Sequence, residues 1–208
     1  GNGKTDLVYT GYLSVGVMFG NGDGTFTQGP LVDLPTFSST VVTGFFNDDT
    51  FLDVAVAGAG EPRLFVFLGH GDGSFDPAVE YALIDQTVGV AIADFDGDGN
   101  ADIASADLYS GNVSLLLGNG DGTFQPVSGI SLGIPPSTAS GRMTAGDLDG
   151  NGTPDLAVDT GWGVVVLRSA VGGGFLAPTL YETDVFGGDI VVADIDLDGV
   201  PDILINGS

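Results

Sequence analysis

The sequence contains no cysteine, so it can form no disulfide, no thiolate metal site and no cysteine nucleophile. That absence is compatible with a bacterial or environmental protein that is secreted without disulfides. Basic residues are also scarce, because 4 Lys and Arg stand against 28 Asp and Glu and give a formal net charge of -24. Such a charge repels phosphate backbones and anionic membranes. We therefore expect no nucleic acid partner.

Long apolar runs are missing as well. None approaches the roughly 18 residues that span a bilayer, so we expect no membrane insertion. The opening residues "GNGKTDLVYT" are not a signal peptide and look like the second half of a motif found later, which suggests a fragment or a processed product. Hydrophobic residues still make up 43% of the 208 residues. That is enough for one domain with a core, or for part of a larger repeat structure.

A dense group of aspartates recurs along the chain between short apolar runs. The stretch "IADFDGDGNADIAS" (92–105) returns as "GDLDGNGTPDLAV" (146–158), "ADIDLDGVPDILI" (193–205) and, degraded, "GFFNDDTFLDVAV" (44–56), while "GNGKTDLV" at the start is the tail of a fifth copy. The last aspartates of successive copies are 47, 49, 53 and 47 residues apart, which is a period of about 49. These aspartates are Asp6, Asp53, Asp102, Asp155 and Asp202.

A glycine-rich turn keeps the same period. It reads "FGNGDGTF" (19–26), "LGHGDGSF" (68–75), "LGNGDGTF" (117–124) and, more weakly, "RSAVGGGF" (168–175). These turns carry Asn and Asp but lack the outer acids of the first motif, and we interpret them as tight hairpins. Each repeat therefore contains two fixed turns.

The segments between the turns are typical of short strands. "VGVAIAD", "DIASAD" and "NVSLLLG" are rich in Val, Ile and Leu and are bounded by Gly, Asp and Asn. A period of about 40 to 50 residues with four strands is typical of a propeller blade. The sequence predicts an all-β fold with blades of four antiparallel strands. About four repeats would form a closed ring or an arc of a larger propeller.

We name the four strands of a blade A to D. Strand A precedes the aspartate-rich loop and B follows it, while C precedes the glycine-rich turn and D follows it. Antiparallel order places both fixed turns on one face and the B–C tips on the other. We expect residues 1–208 to form a single propeller segment. Its repeats are predicted at 1–38, 39–87, 88–138 and 139–188, with a partial repeat at 189–208.

The aspartate-rich loops have the spacing of a cation site. Positions 1, 3, 5 and 9 supply side-chain oxygens, position 7 offers its carbonyl, and glycine at position 6 allows the bend. Hard oxygen donors favour Ca²⁺, which would reverse the repulsion between the carboxylates. The alternative is a set of plain Asx and type I′ turns without a metal. The predicted ligands are Asp94, Asp96, Asp98, Asn100 and Asp102; Asp147, Asp149, Asn151, Thr153 and Asp155; and Asp194, Asp196, Asp198, Val200 and Asp202, with Asn100, Thr153 and Val200 acting through their carbonyls.

The degraded loop at 45–53 departs from this pattern. Phe45 replaces the first acid and Thr50 replaces the glycine, which leaves Asn47, Asp49 and Asp53. We expect weak or no ion binding there.

The combined pattern "ADFDGDGNADIASAD" and "GNVSLLLGNGDGTF" resembles the FG-GAP or VCBS repeat. This calcium-binding blade is shared by the head of integrin alpha chains and by many bacterial secreted and surface proteins. The resemblance covers nearly the whole chain, apart from the degraded loop, the half-loop at the start and the "SAVGGG" turn. It implies blades around a central axis, Ca²⁺ in the A–B hairpin, and an extracellular location, either secreted or at the cell surface.

Groups suited to catalysis are few. His70 is the only histidine and lies in a hairpin, and the bases Lys4, Arg63, Arg142 and Arg168 are never adjacent. Paired aspartates can hydrolyse glycosides, but those of the loops are interpreted as metal ligands. We therefore expect that the chain is not an enzyme.

The B–C tips are the candidate ligand surface. They carry Tyr12, Arg63, Tyr109 and Trp162, all predicted on the face opposite the metal loops. Exposed aromatics there can contact a sugar or a protein through stacking. Alternatively, each ring packs over the edge of its own blade. The resemblance also implies that ligands bind to this face, because integrin heads bind their ligands there.

Two functions follow from these observations. The first is a non-catalytic, calcium-stabilised extracellular recognition or adhesion module that binds protein or glycan. The second is a structural repeat unit that self-assembles through open blade edges into a larger propeller, a surface layer or a fibre.

Overall fold

A computed structural model describes residues 3–107, 109–135, 139–170, 173–184 and 188–207. Within these ranges the chain consists of strands, turns and bends, without a helix. The short segments rich in β-branched residues predict this outcome. Accordingly, the described residues contain no helix long and apolar enough to cross a membrane.

The described residues form 17 strands, β1 to β17 in chain order. Their bounds are β1 Leu7–Thr10, β2 Ser14–Gly20, β3 Phe26–Asp33, β4 Ser38–Gly44, β5 Asp53–Gly58, β6 Arg63–Phe67, β7 Val79–Ala82, β8 Thr87–Ala93, β9 Asp102–Asp107, β10 Asn112–Leu116, β11 Ser128–Ser131, β12 Ala139–Gly146, β13 Asp155–Thr160, β14 Gly163–Leu167, β15 Thr179–Glu182, β16 Ile190–Ala193 and β17 Asp202–Ile205.

The strands pair in sequence order into separate antiparallel sheets. Blade 1 contains β1–β3, blade 2 contains β4–β7, blade 3 contains β8–β11, blade 4 contains β12–β15, and blade 5 contains β16–β17. The predicted four-stranded blades are therefore confirmed in blades 2, 3 and 4. No hydrogen-bonded pairing among the described strands joins β17 to blade 1, so the sheets are not closed into a ring.

Burial follows the position of each strand in its blade. The B strands β5, β9 and β13 are buried along their whole length, because both faces of a blade pack against neighbouring blades. The D strands β7 and β11 are mostly exposed, as expected for an outer edge. The A strands of successive blades contact one another, so they lie side by side along the inner edge of the arc.

The antiparallel pairing gives the fold two distinct faces. The loop face carries the aspartate-rich A–B loops and the glycine-rich C–D turns, and the tip face carries the B–C tips. On the loop face, aromatic pairs join successive blades. The rings of Phe46 and Phe124 lie 5.4 Å apart, and those of Phe95 and Phe175 lie 5.8 Å apart. Each pair connects an A–B loop to the C–D turn of the next blade.

Candidate functional site

Carboxylates from positions 1, 3 and 9 of the aspartate-rich loop converge in three blades. One oxygen from each of the three carboxylates lies within 4.8 Å of the other two. The clusters are Asp94, Asp96 and Asp102 in blade 3; Asp147, Asp149 and Asp155 in blade 4; and Asp194, Asp196 and Asp202 in blade 5. We call the three loops that carry these clusters the acidic loops.

The first aspartate of each acidic loop accepts backbone N–H groups of its own loop. Asp94 accepts the N–H of Asp98 at 3.1 Å and that of Gly99 at 2.9 Å. Asp147 and Asp194 accept the N–H groups at positions 5 and 6 in the same way. Position 6 is glycine in all three loops, with φ between 88° and 93°. Only glycine adopts that backbone freely, so it lets the loop fold around the first carboxylate.

Position 5 closes a turn within each loop, and its predicted role as a side-chain ligand, through Asp98, Asn151 and Asp198, stays a prediction. Asp98 Oδ1 accepts the N–H of Asn100 at 2.8 Å, which closes an Asx turn. Asn151 and Asp198 accept the N–H at position 7 of their loops in the same way. The three clusters do not include this position. The carbonyl ligands proposed from the sequence at position 7, Asn100, Thr153 and Val200, stay predictions.

In blades 3 and 4 the last aspartate of the loop is buried and joins two turns of its blade. Asp102 accepts the N–H of Phe95 with one oxygen and the N–H of Gly118 with the other, both at 2.8 Å. Burial raises the pKa of Asp102 to about 6, and the negative charges of Asp96 and Asp94 act in the same direction. A cation beside these carboxylates would stabilise their ionised forms.

The chemistry of the donor set fits calcium. Three carboxylate oxygens in one small volume are the hard donors that Ca²⁺ takes, and its flexible coordination allows waters to complete the shell. Positions 1 and 3 are partly or fully exposed in each cluster, so a hydrated ion can reach them. The residues at positions 1, 3 and 9 would hold the ion through their side chains.

The loop of blade 2 has a different backbone and lacks the first acid. Phe45, at position 1, is 54% exposed and offers no side-chain acceptor. Thr50, at position 6, lacks the left-handed conformation, because Leu197 is the one non-glycine residue with positive φ among the described residues. The amide of Asn47 donates to Asp49 at 3.0 Å instead. The weak or absent ion binding at this loop stays a prediction.

Asp53 in blade 2 nevertheless keeps the contacts of position 9. It is buried, and its carboxylate accepts the N–H groups of Phe46 and Gly69, both at 2.8 Å. These contacts match those of Asp102, although blade 2 has lost its first acid. The last aspartate therefore has a structural role that is independent of an ion.

Leu197 gives the blade 5 loop a strained backbone. Its φ is 63°, and its side chain is 84% exposed. The same position is Gly97 in blade 3 and Gly150 in blade 4, with φ of 78° and 73°. A left-handed backbone costs an L residue about 1–2 kcal/mol. Of the three acidic loops, the one in blade 5 is therefore the least suited to its conformation.

Ser169 lies next to the blade 4 cluster and is not among the site residues predicted from the sequence. It is buried, its N–H donates to Asp155 at 2.7 Å, and its hydroxyl donates to Thr153 Oγ1 at 2.7 Å. The other C–D turns have glycine at this position, namely Gly20, Gly69 and Gly118. The break in this glycine pattern was the signal that could have identified it.

The glycine-rich turns are hairpins closed by their own aspartates. Asp23 accepts both the N–H and the hydroxyl of Thr25, at 2.9 and 2.6 Å. Asp72 and Asp121 make the same pair of bonds in blades 2 and 3. The hydroxyl bond lowers the pKa of each of these aspartates. Their side chains are thus occupied in turn formation.

The aromatic residues predicted at the tips are exposed. Tyr12 is 77% exposed, and its ring contacts Phe37 edge to face, with centroids 4.5 Å apart. Tyr109 and Trp162 are 50% and 53% exposed. All three project from B–C tips, on the face opposite the acidic loops. Tyr12 therefore combines edge packing with exposure, and the other two rings present accessible faces.

Arg63 at the blade 2 tip is an ion-paired residue. Its guanidinium lies 3.3 Å from Glu61 and 3.2 Å from Glu80, and all three side chains are about half exposed. The positive charge at this tip is therefore balanced by neighbouring carboxylates. A ligand at this tip would meet a polar group rather than a free cation.

A buried carboxyl lies below the blade 3 tip. Both oxygens of Asp107 lie 3.0 Å from the hydroxyl of Ser114, which also accepts the N–H of Ile84 at 3.0 Å. Burial raises the pKa of Asp107 to about 7, and the charge of Asp85 acts in the same direction. Nothing in the repeat pattern of the sequence marks Asp107, so its burial is known from the structure alone.

A family model described as FG-GAP-like repeat matches residues 46–105 and 94–158. The two matches overlap at the blade 3 loop. Together they run from residue 46 to residue 158, which is more than half of the chain.

Two solved structures provide further comparisons. A lectin from Agrocybe aegerita, described by its specific recognition of non-reducing terminal N-acetylglucosamine, aligns with a TM-score of 0.61 and 21% identity. The alignment covers 97% of this chain and 60% of the lectin chain. The pore of a Tc holotoxin from Photorhabdus luminescens aligns with a TM-score of 0.45 and 18% identity, over 96% of this chain and 10% of that one. No curated protein matches the chain. At this identity the lectin shows the fold alone.

Proposed function

Because this chain belongs to the FG-GAP-like repeat family, we propose that it is a calcium-stabilised, non-catalytic recognition module that works outside the cell. The observation that carries the proposal is the separation of two surfaces. Three carboxylate clusters lie on the loop face, and exposed aromatic residues lie on the tip face. The first surface would stabilise the fold through bound ions. The second would contact a carbohydrate or a protein.

Calcium binding is supported by the charge of the chain and by the donor sets. Three Ca²⁺ ions would add six positive charges and change the formal charge from -24 to -18. This relief would be concentrated where the carboxylates are closest. Extracellular modules use calcium sites of modest affinity, because calcium is abundant there. That argument supports a secreted or cell-surface location.

A carbohydrate is the first ligand class to test. Trp162 and Tyr12 expose large ring surfaces at equivalent tips of different blades. Aromatic rings bind apolar faces of ligands while their polar atoms stay hydrated. The structural neighbour from Agrocybe aegerita recognises a terminal sugar, which makes a glycan a reasonable ligand for a related fold.

The scarcity of suitable groups supports a non-catalytic role. His70 lies in an exposed turn, 3.1 Å from Asp76. Arg142 is ion-paired with Asp189. The clustered aspartates are better used as ligands for a cation than as an acid and base pair.

Binding of the wild-type chain and of tip variants to a glycan array tests this proposal. The chain, saturated with calcium, is applied to the array, and the strongest signal is then measured for Trp162→Ala. We expect at least a tenfold weaker signal with an unchanged melting temperature, because the ring is exposed. The matched control is Phe45→Ala, which removes a ring of equal exposure from the loop face. Equal losses for both variants, or a parallel loss of stability in Trp162→Ala, would contradict a ligand surface at the tips.

A structural repeat unit is the second candidate. Among the described strands, β17 pairs with β16 alone, so its other edge is open to a further strand from the same chain or from another molecule. Apolar side chains of blade 5 are also exposed, including Val191 and Leu204. Sedimentation velocity at rising concentration distinguishes the candidates. Growing oligomers would favour assembly, and a constant monomer would favour recognition.

A further inference from the structure

The acidic loop of blade 3 is packed against the C–D turn of blade 4. Phe95, at position 2 of the loop, is buried, and its ring lies 5.8 Å from that of Phe175 at an angle of 47°. Gly173 of the same turn lies against the backbone and Cβ of Asp96, so close that an added Cβ would be in van der Waals contact. Position 3 of one loop, a proposed ion ligand, is thus adjacent to the next blade.

The blade 4 turn connects this contact to its own acidic loop. Phe175 and Ser169 form an antiparallel bridge across the turn, and the N–H of Leu176 donates to the carbonyl of Arg168 at 2.8 Å. A displacement of Phe175 would therefore move Ser169 directly. The two residues belong to one hydrogen-bonded hairpin.

Ser169 makes several contacts with the blade 4 loop. Its hydroxyl donates to Thr153 Oγ1 at 2.7 Å and lies 3.2 Å from Asp155 Oδ1, which also accepts its N–H at 2.7 Å. Its carbonyl accepts the amide of Asn151 at 3.2 Å. The three partners stand at positions 5, 7 and 9, each of which the sequence assigns to ion coordination. Ser169 is 1% exposed, so these contacts are shielded from solvent.

We propose that Ser169 is a positioning residue of the blade 4 acidic loop, and that through Phe175 it couples cation binding in blade 4 to cation binding in blade 3. The inference rests on the proposed calcium binding and adds a relation between two of its sites. Neither the acid pattern nor the family match assigns this relation.

The coupling has a simple physical origin. An ion in the blade 3 loop fixes positions 1, 3 and 9 and hence the backbone that holds Phe95. An ordered Phe95 restricts Phe175, and the turn then presents Ser169 to Asp155 in the geometry that blade 4 requires. The first ion therefore orders part of the second loop in advance. The second ion then loses less conformational entropy when it binds, so its affinity is higher. Linkage requires that each ion raise the affinity of the other by the same factor.

Two other loops of the chain provide internal controls. Blade 2 makes the same kind of contact with blade 3, where Gly122 donates its N–H to the carbonyl of Phe46 at 2.7 Å. The blade 2 loop, however, carries Phe45 instead of the first acid. In blade 5, the described residues include no C–D turn. Within the described structure, blades 3 and 4 are the pair of acidic loops that a turn connects in this way.

Site-specific calcium titration tests the proposal. The amide resonances of Gly99 and Gly152 report on the blade 3 and blade 4 loops separately. Asp96→Ala removes a ligand of blade 3 and should weaken calcium binding reported by Gly152 about fivefold, at the lower end of allosteric couplings. Asp149→Ala should weaken the binding reported by Gly99 by the same factor. Asp196→Ala, in blade 5, should leave both affinities unchanged.

A second variant separates coupling from folding. Ser169→Gly introduces the residue that the other three turns carry, so the turn should still form. In this background we expect weaker binding at Gly152, and we expect that binding to be insensitive to Asp96→Ala. Persistence of the fivefold effect in Ser169→Gly would overturn the role of Ser169.

The proposed function and the coupling fail in different ways. Independent titration of the two loops in the wild-type chain and in Asp96→Ala would overturn the coupling alone. Absence of any calcium uptake by the wild-type chain would overturn the proposed function, and the coupling with it.

Discussion

The carboxylate of Asp53 accepts a hydrogen bond of 2.8 Å from the backbone N–H of Gly69, and thereby joins the A–B loop of blade 2 to its C–D turn. The other oxygen accepts the N–H of Phe46. Asp53→Ala would leave two buried N–H groups without this acceptor, and each such group costs about 1–3 kcal/mol. We expect a loss of about 3 kcal/mol in urea unfolding, with unchanged calcium stoichiometry. Asp49 lies in the same loop but is exposed. Asp49→Ala should therefore change the free energy of unfolding by about 0.5 kcal/mol or less.

Calcium removal should lower the melting temperature sharply. An ion that binds only the folded state adds about 2.7 kcal/mol per site when its concentration is a hundred times its Kd. Thermal melts with and without EDTA measure this difference. Mg²⁺ should restore little, because its small octahedral shell fits these loops poorly.

Single substitutions should show which loops bind an ion. Asp96→Ala and Asp196→Ala should each lower the stoichiometry measured by calorimetry by one, whereas Asp49→Ala should leave it unchanged. A melting temperature indifferent to EDTA, or calorimetry without calcium uptake, would mean that these loops are ordinary turns.

Replacement of Leu197 should stabilise the blade 5 loop. Leu197→Gly relieves the left-handed strain of about 1–2 kcal/mol, while the added freedom of the unfolded chain offsets about 0.4–1 kcal/mol. We expect a net gain of roughly 0.5–1 kcal/mol and a tighter calcium site in blade 5. Leu197→Ala keeps the unfavourable backbone and serves as the control. Equal effects of both variants would show that side-chain exposure, rather than strain, is responsible.

Asp107 should make stability depend on pH. Its pKa is about 7 in the folded protein, against about 3.9 for an unfolded aspartate. Between these values the folded state binds more protons, so the free energy of unfolding falls as the pH rises from about 4 to about 7. We expect a loss on the order of 1–3 kcal/mol over this range, measured by urea unfolding in saturating calcium.

Two variants identify the group responsible for this pH dependence. Asp107→Asn should flatten the profile and should be more stable than the wild type at pH 8, because it buries no charge. Asp85→Asn removes a neighbouring negative charge and should shift the midpoint to lower pH. An unchanged profile in Asp107→Asn would assign the pH dependence to other carboxyl groups.

Much of the fold could be predicted because its signals are local. The composition of the segment "NVSLLLG" predicts a strand, and the segment contains β10. The loop and turn motifs repeat in step, so their period alone indicated blades of four strands. The sequence also placed Phe45 and Thr50 at positions where the blade 2 loop departs from the others, and the backbone does differ there.

The sequence by itself determined the strand order, the two fixed turns of each blade and the acid spacing of three loops, because each depends on residues close together in the chain. Only the tertiary structure decided that Phe95 meets Phe175 and that Ser169 reaches Asp155, which lies 14 residues away in sequence. It also decided that the last aspartate is buried between two turns in blades 2, 3 and 4, with contacts that Asp53 keeps without the first acid. These relations depend on how neighbouring blades pack, and packing joins side chains that no local pattern relates.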